Sequence, residues 1–304
     1  MIDDAIRRLF AAAGCAGSLS VLDVDGDAQV HVGGDEPVIA ASVLKVPVAL
    51  EVFRQSCAGE LDLRERVRIG PEGRTAGPTG FSLFADEVEV SLGDLVTMML
   101  TISDNAATDV LIDRVGLGRI AATLDGLDLK GTAIPHPLRG LLDGIGEDAG
   151  HPGWAELTRA AATATPEQTR VLEERVRSSR ALLRPEETLR TTARDMALLL
   201  RLVWRDEAGP ARACAELREV MARQLTRHRL AMGFPPEVGV AAKSGSLFGV
   251  VRNEVGVLSL PGGRRYAAAV FTRADRPRDR ENEINAAIGA AAALAVEHCQ
   301  TGGA

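Results

Sequence analysis

The chain is 304 residues long, 46% hydrophobic, 25% charged and 3% aromatic, enough for one large domain or two subdomains around a cleft, with a mostly aliphatic core. A formal net charge of −7 leaves no basic field for phosphate backbones, which excludes nucleic acid as a partner. No apolar run is long enough to span a membrane, and the start Met1-Ile2-Asp3-Asp4 lacks the parts of a secretory leader, so the chain reads as cytoplasmic, or secreted if a leader has been removed.

In chain order, a first helix is predicted over residues 3–13. Residues 19–24 alternate as a strand, Asp25-Gly26-Asp27 turns, and residues 28–32 return as a hairpin. A short extended stretch follows Gly33-Gly34. Residues 42–55 carry Val43, Leu44, Val48, Leu50 and Val52 at helical spacing. That spacing resumes over 92–115, broken by Thr101-Ile102-Ser103-Asp104-Asn105, a polar interruption that marks a turn or functional loop between helices. Residues 166–183 and 192–204 are amphipathic, the second with Thr192 at its N-cap. Strands are predicted over 239–244, 254–258 and 266–271, with Pro261-Gly262-Gly263 turning between the last two, and a final helix over about 280–298. Asp275, Pro277 and Asp279 break up the arginines of 273–280 into a solvated turn.

This order predicts an antiparallel sheet made from both chain ends with helices inserted between them, an α+β fold. Residues 1–45 and about 205–304 form the predicted α/β subdomain, and about 46–204 the helical one. The cysteines (Cys15, Cys57, Cys214, Cys299) show neither CxxC nor Cys/His clustering, so the reading expects reduced thiols, no metal and no cofactor.

Three polar motifs interrupt these elements. Ser42-Val43-Leu44-Lys45 puts a hydroxyl and an amine on one face of a helix start, where a deprotonated Lys45 is a general base for Ser42. A lysine does this only when burial or a neighbouring cation lowers its pKa, and Lys243 is the candidate cation. Ser103-Asp104-Asn105 offers a hydroxyl to pass a proton to a leaving group, and an amide to hold both a substrate carbonyl and Lys45; Asp104 is read as a helix cap. Lys243-Ser244-Gly245 ends a strand with a fixed charge, a hydroxyl for a substrate carboxylate and a residue that permits close backbone approach. The N–H groups of Ser42 and Ser246 are the predicted oxyanion hole.

In this order the motifs resemble those of the class A serine β-lactamases and penicillin-binding proteins, over nearly the whole chain. The resemblance implies a five-stranded antiparallel sheet beside a helical domain, with the site between them. It also implies a small-molecule substrate bearing a carboxylate or other anionic group, and an acyl-enzyme on Ser42. Arg252, nine residues after Lys243, matches an arginine that helps bind the substrate carboxylate in many members. A monomer that binds no membrane is expected.

One family feature is missing. Glu-x-x-Leu-Asn, whose glutamate activates the deacylating water, occurs nowhere; residues 133–142 read Ala-Ile-Pro-His-Pro-Leu-Arg-Gly-Leu-Leu, and an insert of about 150–184 follows within an atypical region of about 134–190. Three expectations stay open. One of Glu147, Glu173, Glu174, Glu186 or Glu187 folds back as the base, His136 serves instead, or the acyl group waits for another nucleophile. The insert itself is read as a helix covering the cleft edge, with a lid or an acceptor-binding surface as the alternative.

Overall fold

The computed structural model describes residues 2–302. The chain opens with α1 (Ile2–Ala13), β1 (Cys15–Asp23), β2 (Gln29–Val32) and β3 (Val38–Ile39), then a 3₁₀ turn over Ala41–Leu44. The helical region holds α2 (Lys45–Cys57), β4 (Arg66–Ile69), β5 (Val88–Ser91), α3 (Leu92–Thr101), α4 (Asn105–Val115), α5 (Leu117–Gly126) and α6 (Leu138–Asp148). It continues through α7 (Trp154–Ala162), α8 (Pro166–Arg177), α9 (Arg180–Leu183), β6 (Arg190–Thr191), α10 (Ala193–Trp204) and α11 (Ala211–Met221). The chain closes with β7 (Gly239–Leu247), β8 (Val251–Ser259), β9 (Arg265–Ala274) and α12 (Glu281–Gln300).

Five strands form one antiparallel sheet in the order β2-β1-β9-β8-β7. Both faces are buried, and strand alternation divides them. Val255, Val257, Ala267, Ala269 and Phe271 face α10 and the helical region, whereas Leu258, Ala268 and Val270 face α1 and α12. Few aromatics are needed because alanines in β9 let helices lie close on both sides.

α2 is buried along nearly its whole length, including Lys45, and carries the first motif through the helical core. Ser91, Asp104 and Thr192 cap α3, α4 and α10 by accepting from Asp94, Ala107 and Asp195 N–H groups.

The region predicted as one covering helix is three, α7 to α9. Trp154 at the start of α7 lies 5.5 Å, centroid to centroid, from Phe248 in the β7–β8 turn. Leu182 of α9 is buried with Ile39, Ala41, Val250 and Val251, and its carbonyl accepts from Arg273. The insert thus joins the segment before Ser42 to the turn after β7. α8 buries none of its side chains fully, so its stability comes from a Thr165/Gln168 capping box and surface ion pairs. Among the described residues, no helix is long and apolar enough to cross a membrane.

Candidate active site

Ser42 lies in the 3₁₀ turn rather than in the first turn of an α-helix, and Lys45 is the first residue of α2. Ala41, just before it, has φ +46°, a left-handed conformation costly for a residue with a Cβ. Asn253 on β8 holds the approach to this turn, its Nδ2 donating to the Ile39 carbonyl at 2.9 Å. The Ser42 hydroxyl has no hydrogen-bond partner among the described residues.

Lys45 is fully buried and donates to three acceptors: the Ser103 carbonyl at 2.7 Å, Ser103 Oγ at 3.1 Å and Asn105 Oδ1 at 2.8 Å. The first and second motifs are therefore in contact, although the three hydrogen bonds of Lys45 run to Ser103 and Asn105 and none to Ser42. Burial, and then the charge of Lys243, hold the Lys45 amine well below the ordinary lysine pKa.

Ser103 has φ +65°, a second strained residue in the site. Its neighbour Asp104 is buried and locks it from both sides. Oδ1 accepts from Ala107 N–H at 3.0 Å, and Oδ2 from Phe81 N–H at 2.6 Å. The 80s loop comes this close because residue 80 is glycine, at φ +64°, where a Cβ would sit 2.1 Å from Asp104 Oδ2. Asn105 Nδ2 donates to the Ala76 carbonyl at 2.8 Å, which aims Oδ1 at Lys45.

The third motif occupies β7, the sheet edge. Lys243 is buried and donates to the Ser244 carbonyl at 2.8 Å. Ser244 N–H donates outward to Gln224 Oε1 at 2.5 Å, so Ser246 N–H, two residues on, points the same way from the edge. A Cβ on Gly245 would lie 3.1 Å from Ser42 N and 3.3 Å from the Ala40 carbonyl, so glycine is what lets β7 rest on the Ser42 turn. Gly245→Ala is expected to push the two apart by a few tenths of an ångström and to slow adduct formation at Ser42 about tenfold or more. Intact-mass kinetics beside a melting curve check this.

Arg252 pairs with Ser246 across β7 and β8, but its guanidinium reaches back to α12, ion-paired with Glu281 and 3.3 Å from Asn285 Oδ1. Its Nε is buried without a partner. Of the groups put forward as a deacylating base, Glu173 and Glu174 pair with Arg177 and Glu187 with Arg184. Neither Glu147 nor Glu186 hydrogen-bonds to the site among the described residues. His136 Nδ1 lies 3.0 Å from the Pro137 carbonyl. The atypical stretch is anchored beside the site by Asp109, one helical turn beyond Asn105, whose carboxylate accepts from the Leu138 and Arg139 N–H groups at 2.7 and 2.8 Å.

Three residues behind β7 escaped the sequence reading. Arg229 is buried and donates to the Gly245 carbonyl at 2.8 Å, the Asn253 carbonyl at 2.6 Å, Ser246 Oγ at 2.6 Å and Asn285 Oδ1 at 3.1 Å. Glu254 and Gln224 complete this layer. The signal was present: Arg252 and Glu254 are charged residues two apart in one strand, hence on one face of it. All four thiols are free, and burial pushes those of Cys15 and Cys299 up to about 11, so neither competes as a nucleophile.

A five-stranded antiparallel sheet beside a helical region, with these motifs converging between them, is the fold of the class A β-lactamases. The chain belongs to the β-lactamase enzyme family, whose model matches residues 1–299. Among solved structures it is similar to a β-lactamase from Sphaerobacter thermophilus, at 23% identity and TM-score 0.76, covering 99% of this chain and 97% of the other. It is also similar to PBP-A, at 23% identity and TM-score 0.73, covering 97% and 96%. A further relative is the β-lactamase regulatory protein BlaB of Streptomyces cacaoi, 27% identical over 292 residues, which are 91% of this chain and 90% of that protein.

Proposed function

We propose that the protein is a serine acyl-enzyme hydrolase acting on β-lactams or related amides and esters. The observation that carries this is the buried Lys45 amine, depressed in pKa and in hydrogen-bond contact with Ser103 Oγ, three residues along the chain from a Ser42 hydroxyl with no hydrogen-bond partner among the described residues. Ser42 Oγ attacks the carbonyl carbon. Its proton passes to Lys45 in the deprotonated form, which keeps two of its three N–H donations and turns its lone pair to the Ser42 hydroxyl, and then through Ser103 to the leaving nitrogen as the C–N bond breaks. The N–H groups of Ser42 and Ser246 stabilise the oxyanion. Lys243 and Ser244 hold the substrate's anionic group, and Asn105 its carbonyl; Arg252, engaged by Glu281, takes no part. β7, Ser42 and Lys45 come from the parts predicted as the α/β subdomain and Ser103 and Asn105 from the part predicted as helical, which supports a cleft between the two.

A second reading shares the acylation step but transfers the acyl group to an amine or alcohol, or stops at a covalent adduct. It is favoured by the ion pairs that hold Glu173, Glu174 and Glu187 on the insert, and by the regulatory role in the name of the S. cacaoi relative. A chromogenic cephalosporin followed for turnover and intact mass separates them. Steady turnover supports hydrolysis, an adduct released only by added amine or alcohol supports transfer, and a stable adduct supports covalent binding. No adduct under any condition contradicts the shared step.

A further inference from the structure

We infer that Glu254 is a positioning residue for the Lys243–Ser246 edge: it holds the strand through Gln224 and keeps the Lys243 ammonium charged for an anionic substrate. This deepens the proposed function and rests on it for what Lys243 binds.

Glu254 faces Ser244 directly in the β7–β8 register and is 1% exposed. Oε2 accepts from Leu230 N–H at 2.6 Å and Oε1 from Gln224 Nε2 at 3.0 Å. Burial pushes the Glu254 carboxyl up, and the Leu230 N–H, Arg229, Gln224 and Lys243 oppose it; both oxygens meet N–H donors, an arrangement that suits a carboxylate and offers a carboxyl proton no acceptor there. The other end of Gln224, Oε1, takes the Ser244 N–H. An edge strand has no neighbour to hold its outer amides, and here a side-chain amide fixed by a buried carboxylate does so. Arg229 holds the next two residues through the Gly245 carbonyl and Ser246 Oγ, and Glu254 supplies the leading opposite charge against the burial of its guanidinium.

The same carboxylate acts on Lys243 through charge alone, because the register pairs Lys243 with Val255 and turns its side chain to the other face of the sheet; among the described residues the one hydrogen bond of Lys243 is to the Ser244 carbonyl. Burial drives Lys243 down to about 7; Glu254 pulls upward and Arg229 downward. The other charged or titratable groups around this layer are Lys45 on α2, His228 beside Arg229, Arg252 on β8 and Glu281 on α12. Glu254 is the carboxylate that opposes the burial of Lys243. Removing its charge therefore lowers the Lys243 pKa further, and the cation disappears at a lower pH.

The chain has three lysines, Lys45, Lys130 and Lys243, so a ¹³Cε-lysine NMR titration resolves each one. Lys243 is expected to titrate near 7 in the wild type, and lower in Glu254→Gln. Adduct formation with a cephalosporin at pH 7.5 is then about 5- to 10-fold slower in the variant, and the two rates converge in acid. An unmoved Lys243 titration, or an equal loss of rate at every pH, overturns the inference. If Glu254→Gln does not fold, Glu254→Asp decides: it keeps the charge but shortens the reach to Gln224, so adduct formation is expected to slow, and an unchanged rate overturns the inference. A shifted Lys243 in a protein that never forms an adduct counts against the proposed function and leaves the role of Glu254 intact.

Discussion

Lys45→Met is expected to lower the rate of adduct formation about 10³- to 10⁴-fold while the protein stays folded. Lys45 has no exposed surface, and methionine fills a similar unbranched volume, so packing in α2 is largely retained. The substitution leaves the Ser103 carbonyl, Ser103 Oγ and Asn105 Oδ1 without their donor, at about 1–3 kcal/mol for each group left unsatisfied. Release of a buried amine from its desolvation cost offsets much of this. The melting temperature should therefore move by only a few degrees while the kinetics collapse. A melting curve beside time-resolved intact mass checks the pairing. A rate within about tenfold of wild type would remove Lys45 from the proton path.

Asp104→Ala is expected to have the largest effect on stability within the three motifs. It removes the N-cap of α4, worth about 1 kcal/mol, and leaves the buried Phe81 N–H without an acceptor, at about 1–3 kcal/mol more. A total near 3 kcal/mol corresponds to a fall of about 6 °C in melting temperature for a chain of this size. The kinetic consequence is separate. Asp104 keeps Ser103 at φ +65° and fastens the 80s loop against α4, so its loss relaxes Ser103 and carries away the Lys45 partners. Adduct formation should fall about 10²-fold at temperatures where the variant is fully folded, measured beside thermal unfolding. An undiminished rate would show that the strained backbone at Ser103 is not needed.

Much of this architecture was legible from residue pattern. The hairpin, the polar break between α3 and α4, the Thr192 cap and the last three strands with their helix follow from alternation, helical spacing and capping chemistry. The boundaries differ where pattern is weakest: Ser42 sits in a 3₁₀ turn, and β8 begins at Val251 because Arg252 and Glu254 are buried through partners on other elements, Glu281 and Gln224, rather than by being apolar. The insert resolved into three helices because its stability rests on few contacts, Trp154 on Phe248 and Leu182 beneath α9, which pair residues far apart in the chain.

The site divides in the same way. Ser42, Lys45, Ser103, Asn105 and Lys243 announce themselves as polar residues interrupting apolar elements. Arg252 shares that signal, yet its guanidinium engages Glu281 on α12, a partner that sequence spacing does not reveal. The supporting layer of Gln224, Arg229 and Glu254 was hidden because its members act on β7 through backbone groups, whose positions exist only after the sheet has formed. Deacylation was the least legible step: no motif marks its base, and the glutamates put forward for it lie in ion pairs or outside hydrogen-bond contact with the site.

The central claim is that Ser42 carries the acyl group. Peptide-mass mapping after a brief exposure to a chromogenic cephalosporin tests it most directly. The adduct should fall on the peptide containing Ser42, with the mass of the ring-opened drug, and be absent from Ser42→Ala. An adduct on another residue, or one that persists in Ser42→Ala, would contradict it.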